Sequence, residues 1–86
     1  MTYEVYWSET ALDCAAKFAQ DDHAGIVSVL GATDMLATNP CPTTARSVGL
    51  NRYRYRVRVG VYRLIYEVDG TRIVIEVLHL GRTTAR

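Results

Sequence analysis

Lysine is nearly missing from this 86-residue chain: Lys17 is the only one, against nine arginines. Cysteine is equally sparse, and Cys14 and Cys41 form no CxxC pair, which removes any sequence signature of a zinc site or a redox couple. Neither metal nor cofactor is expected, and the thiols read as buried or idle. No stretch approaches the ~20 uninterrupted apolar residues of a membrane span, and the opening MTYEVYWSET has neither a basic start nor an apolar signal core. A cytoplasmic protein without membrane contact is the expectation. With about half its residues apolar, the chain can build one core and not two, so residues 1–86 are expected to form a single domain.

The charge that is present is unevenly placed. Up to Asn39 the one base, Lys17, stands against Glu4, Glu9, Asp13, Asp21, Asp22 and Asp34, a balance of −5. From Pro40 onward all nine arginines face only Glu67, Asp69 and Glu76, a balance of +6 hidden beneath the overall +1. Such asymmetry points to a polyanionic partner for the basic part. Arginine strengthens that reading, because its planar fork contacts phosphate bidentately and keeps its proton near neutral pH.

TYEVYW alternates and is rich in aromatic and β-branched residues, predicting a strand. Ser8 or Thr10 can cap the helix that follows, with Asp13 completing a box-like arrangement after Thr10, and Ala11, Leu12, Ala15, Phe18 and Ala19 form its apolar stripe. Asp21 to His23 reads as a break or a new cap. AGIVSVLGATDMLAT has a strand-like IVSVL, yet Ile26, Val29, Leu30, Thr33 and Leu36 keep helical spacing, which predicts a second helix. NPCP, Asn39 to Pro42, ends it, and a loop is expected to Gly49. From Leu50 the period becomes two, with turns expected at Val59-Gly60 and Asp69-Gly70. The fold class is therefore α+β: an N-terminal strand and a two-helix hairpin packed on an antiparallel sheet, in the order β, α, α, β, β, β.

Two-residue turns at those positions would set Arg56 opposite Arg63, and Arg63 opposite Glu76. Alternation then assigns Tyr53, Tyr55, Val57, Tyr62, Leu64, Tyr66, Ile73, Ile75 and Val77 to the face beneath the helices. The other face receives Arg52, Arg54, Arg56, Arg58 and Arg63, along with Val61, Ile65, Glu67, Arg72, Val74, Glu76 and Leu78. Opposed guanidinium groups repel, so stability alone would not select this pattern, and the arginine face is read as a binding site for a nucleic-acid phosphate backbone. His79, an imidazole suited to proton transfer near neutral pH, falls by parity on the helix side, where a structural role is as apt as a catalytic one. Glu76 is expected to orient Arg63.

The segment YRYRVRVGVYRLIYEVDGTRIVIEVLHLGR resembles the C-terminal sheet of RelE/ParE-type toxins of bacterial type II toxin–antitoxin systems, most specifically in VGVYRLIYEVDG and VLHLG. The resemblance implies a RelE-like fold and, for RelE-like members, a ribosome-dependent endoribonuclease that cuts mRNA and is neutralised by a cognate, RelB-like antitoxin. It puts Arg54 and Arg56 where such toxins carry catalytic basic residues, Arg63 on their central arginine, and Arg82 in their terminal basic segment. Arg46, Arg52 and Arg58 would extend the RNA-binding surface, and His79 would supply the proton transfer that arginine cannot. The chain departs from the pattern at its end: GRTTAR has Thr83 and Arg86 at or near the positions of a second basic residue and a terminal tyrosine. That departure leaves open a ParE-like inhibitor of DNA gyrase, or a toxin homologue that binds RNA with weakened catalysis.

Overall fold

The computed structural model describes residues 2–83. Its elements are β1 (Glu4–Trp7), α1 (Glu9–Ala19), α2 (His23–Thr38), β2 (Arg46–Val48), β3 (Asn51–Val59), β4 (Tyr62–Asp69) and β5 (Val74–Arg82). Each helix begins where a short polar side chain can satisfy an orphan amide. The Ser8 hydroxyl accepts from Ala11 N at 3.1 Å, and Asp22 Oδ1 accepts from Gly25 N at 3.0 Å. Ser8 is thus the cap and Thr10 lies inside α1. At the far end of α2, Asn39 forms the C-cap just before the two prolines, as expected.

The five strands run in the order β1-β5-β4-β3-β2. The expected antiparallel sheet is in fact mixed, because β1 pairs parallel with β5, Glu4 opposite Val74 through Trp7 opposite Val77. The two helices carry the chain from β1 to β2 at the opposite edge, and the meander then returns β5 to the side of β1, a connection far longer than a parallel pair requires. The stretch expected as loop up to Gly49 contains β2, which pairs with β3 and sets Arg46 opposite Arg56.

Both hairpin registers differ from expectation. The first turn is Gly60-Val61, with Val59 opposite Tyr62, and Gly60 takes the left-handed φ of +61° that a tight hairpin turn needs. The second is longer: Asp69 pairs with Val74, and the Asp69 carboxylate accepts from the amides of Thr71 and Arg72. The aspartate commits its side chain to that turn, and Ile73 closes it at φ 57°, a strained position for a β-branched residue. The consequence is that Arg63 faces Arg58 and Gly81, where Arg56 and Glu76 were expected.

The core joins Ala11, Ala15, Ile26, Val29 and Leu36 of the helices to Val57, Tyr62, Leu64, Tyr66, Ile75, Val77 and Leu80 of the sheet. Burial rises along β3 from Tyr53, 58% exposed, through half-buried Tyr55 to buried Val57. Tyr53 therefore does not join the core expected of it, since the helix layer covers the sheet nearer Gly60. Leu12 and Leu30 lie at the margins of their stripes, at 53% and 45% exposure.

Two buried tyrosines carry their hydroxyls to partners outside the sheet. Tyr66 donates to Pro40 O at 2.7 Å, and Tyr62 donates to Asp22 Oδ2, also at 2.7 Å. The Tyr62 hydroxyl, followed by the Gly25 amide, holds the Asp22 carboxyl below the usual carboxylate range. The Arg82 guanidinium does the same for Asp21. A carboxyl with a depressed native value contributes stability above its unfolded value of about 3.9 and loses it as pH falls through the lower native value. Urea midpoints should accordingly fall as pH drops from about 5 toward 2, and less steeply in Asp22→Asn. Tyr66→Ala should lower unfolding free energy by about 3–5 kcal/mol through the cavity it leaves, and Tyr66→Phe by about 1 kcal/mol, both measurable by urea titration.

Candidate nucleic-acid interface

The sheet face away from the helices carries the arginines in lateral rows, because directly opposed residues share a face. One row runs Arg46, Arg56, Ile65, His79 across β2 to β5, and the next runs Arg58, Arg63, Gly81. A shallow depression of ≈ 200 Å³ lies between them, lined by Val48, Arg56, Arg63, Ile65, His79 and Gly81.

His79 reaches this face by an irregularity in β5. Tyr66 pairs with Val77 but Ile65 with His79, so Leu78 is an extra residue that breaks the alternation. Such a bulge re-aims every side chain beyond it. His79, expected on the helix side, turns out to the arginine face and is exposed, while Leu80 turns inward to become 1% exposed. The expectation for His79 fails for this single reason.

The same bulge carries Arg82 the other way. Its guanidinium lies on the helix side, donating to both Asp21 carboxylate oxygens at 2.9 and 3.4 Å and resting 4.6 Å from the centre of the Phe18 ring. Arg82 is therefore not brought together with Arg56 and Arg63. Beyond it, Thr83 donates its amide and hydroxyl to Val61 O, tying the strand end to the β3–β4 turn. Arg86 lies outside the described residues.

Gly81 shapes the floor of the depression. A Cβ at this position would sit 3.7 Å from His79 Nε2 and 3.8 Å from Arg63 Nη2. The imidazole and the guanidinium thus approach one point above Gly81, close enough that a side chain there would touch both. Sequence reasoning passed over Gly81, although a glycine within a strand is itself a sign of close approach by a ligand or backbone.

The rest of the face is mixed in sign, with Arg52, Arg54 and Arg72 among Glu4, Glu67 and Glu76. Arg54 donates through Nε and Nη2 to Glu67 Oε2, at 3.0 and 2.6 Å, and Asn51 Nδ2 adds a third bond to the same oxygen at 3.1 Å. Glu67 in turn faces Glu76, which faces Tyr6, whose hydroxyl donates to Glu4 Oε1. Glu76 therefore does not orient Arg63, and Arg54 is internally neutralised. Arg52 sits farther along, its guanidinium 5.6 Å from the Tyr53 ring centre. Among the described residues, Arg46, Arg56, Arg58 and Arg63 make no ion pair. Arg46 donates only to the carbonyls of Thr43 and Ala45.

The face is thus graded from positive near Gly60 to mixed and acidic near Asp69. Fixed guanidinium groups around an open depression can bind phosphate oxygens and stabilise charge that develops on them, and the imidazole at their edge can move a proton. Arg58 directly opposite Arg63 costs stability in the absence of an anion. Arg63→Gln, which keeps the stem and removes the charge, should raise the thermal unfolding midpoint at low salt, with the two proteins converging toward about 1 M salt as screening takes over.

The family model for the ParE toxin of type II toxin–antitoxin systems, parDE, matches residues 5–84. No curated protein matches the chain. Among solved structures, the chain is similar to the RelBE2 toxin–antitoxin complex of Mycobacterium tuberculosis, with a TM-score of 0.81 and 20% identity over 96% of this chain and 100% of that one. It is similar to the archaeal RelE–RelB complex from Pyrococcus horikoshii OT3 at TM-score 0.78 and 26% identity, covering 95% and 96%. The isolated E. coli RelE toxin gives 0.81 at 19% identity, covering 98% and 87%. Strand, helix pair and sheet agree with the expected α+β, RelE-like fold, and with a family match that runs over nearly its whole length the chain belongs to the ParE toxin family of type II toxin–antitoxin systems.

Proposed function

We propose that the protein is the toxin of a type II toxin–antitoxin module that cleaves mRNA on the ribosome, using the depression between Arg56, Arg63 and His79. The observation that carries this reading is that Arg56 and Arg63, neither in an ion pair among the described residues, line one depression with His79, and that the Arg63 guanidinium and the His79 imidazole approach each other above Gly81. Cleavage of this class starts when a ribose 2′-hydroxyl attacks the adjacent phosphorus and releases the 5′-oxygen of the next nucleotide. Negative charge then gathers on the non-bridging phosphate oxygens. Arg56 and Arg63 are assigned to that charge, a contribution on the order of 10²–10³-fold for each well-aimed donor. His79 is assigned the proton transfer that a permanently charged guanidinium cannot perform. Arg46 and Arg58 would grip flanking phosphates. Arg54, Arg52 and Arg82 would act less directly, Arg54 by keeping Glu67 from opposing the incoming chain.

The solved RelBE2 and RelE–RelB structures are complexes with antitoxins. By that likeness a cognate, RelB-like antitoxin is proposed for this chain, with an acidic segment that covers the open face in the cytoplasm. Such pairing should associate fast and weaken with salt. Gyrase inhibition is the second reading, favoured by the ParE family match and by the diversion of Arg82 to the helix layer.

The test is primer-extension mapping of cuts on programmed ribosomes. Wild-type protein should cut within the decoding site, and Arg63→Ala and His79→Asn should each lose about 10²-fold or more while remaining folded. A folded wild-type protein that leaves mRNA intact but traps gyrase on broken DNA would establish the second reading. Binding to a short single-stranded RNA should show a log–log salt slope of about −3, for four phosphate contacts, which Arg54→Ala leaves nearly unchanged and Arg56→Ala makes shallower by about 0.7.

A further inference from the structure

The bulge that turns His79 outward has a specific anchor. An extra residue in a strand leaves its backbone groups off the regular ladder, and a partly buried carbonyl so displaced needs another donor. Leu78 O receives the Ser8 hydroxyl at 2.9 Å. The same hydroxyl oxygen accepts from Ala11 N at 3.1 Å, while Ser8 N donates to Val77 O at 2.8 Å. Three bonds therefore converge on one residue, at the point where β1 passes into α1 beside the bulge.

We propose that Ser8 is a positioning residue for His79: by donating to Leu78 O it holds the bulge that sets the imidazole beside Arg63 and over Gly81. A hydroxyl is suited to this double task because it donates one hydrogen bond and accepts others from a single atom. Helix capping alone does not select it, since aspartate, asparagine and glycine cap as well. An ionised aspartate at position 8 would keep the bond from Ala11 N yet set a carboxylate against the Leu78 carbonyl. Threonine preserves both bonds. The effect on cleavage rests on the assignment of proton transfer to His79, whereas the effect on the position of the ring does not.

Full-length Ser8→Asp, Ser8→Thr and His79→Asn are compared with wild type by three readouts: thermal unfolding, nuclear Overhauser effects between the His79 ring and the Gly81 Hα protons, and mRNA cleavage on ribosomes. Ser8→Asp should melt close to wild type, show no Overhauser effect between ring and glycine, and drop in cleavage to the level of His79→Asn, on the order of 10²-fold. Ser8→Thr should retain all three properties. Should Ser8→Asp fail to fold, Ser8→Gly serves in its place, because glycine is a tolerated N-cap whose side chain offers neither donor nor acceptor. An Overhauser effect that persists in a folded Ser8→Asp or Ser8→Gly protein would overturn the proposal. Its disappearance from the variant, with no cleavage even by wild type, would uphold the role of Ser8 and sink the nuclease reading instead.

Discussion

One additional residue in β5 decides what this sheet offers to each side. With Leu78 inserted, Leu80 enters the core, His79 faces solvent beside Arg63, Gly81 lies across from Arg63, and Arg82 turns to the helices. In a strand of unbroken alternation Arg82 would share the open face and His79 would be buried against α1 or α2. The bulge thus exchanges a guanidinium for an imidazole on the basic surface. It also supplies Arg82 as a strut to the α1–α2 turn, where Asp21, Phe18 and the Asp22–Tyr62 pair gather around it. Bulges beside functional sites are a recurring use of this irregularity.

The two faces of the sheet follow opposite physical rules. Beneath the helices, side chains interlock and each deep hydroxyl has a partner: Tyr62 on Asp22, Tyr66 on Pro40 O, Thr33 on Leu30 O. Among the described residues no buried side-chain polar atom is left without a hydrogen bond. On the open face near Gly60, like charges are set against each other with no carboxylate between them. The rigidity of the first face is what allows the second to keep Arg58 and Arg63 opposed.

Much of the architecture could be read from the chain. The order of elements up to the helices, the Asp21–His23 break, the stop at NPCP and the sidedness of β3 and β4 all follow from periodicity and caps, and these are local signals. Sidedness survived both differences of hairpin register because each turn shifted the pairing by an even number of residues. What could not be read was long-range. The bulge at Leu78 is held by partners distant in sequence, above all Ser8, although VIEVLHLGR carries a trace of it in the apolar pair Val77-Leu78, which shifts the apolar positions from Ile75 and Val77 to Leu80. The parallel pairing of β1 has no local signature either, and β2 is three residues long within a stretch of turn-forming composition. Glu67 as the partner of Arg54 was hidden by the first turn: placed at Val59-Gly60 it sets Arg54 opposite Ile65, and only its true place, one residue later, brings Glu67 across.

The grading of the open face sets a limit on its reach. Its uncompensated positive rows cross up to four strands, a width of roughly 14 Å at about 4.8 Å per step, and give way in the strand direction to the neutralised Arg54–Glu67 pair and to Glu76. On the proposed reading, a chain of phosphates would meet unpaired guanidinium groups across the strands and mixed charge along them. If it takes the proposed substrate, so narrow a strip would hold only a few nucleotides, too few to straighten or select a long flexible strand. A substrate presented already stretched and immobilised by some larger body would meet this surface with its ordering entropy already settled, which is the circumstance in which a domain of this size can act on a polymer far larger than itself.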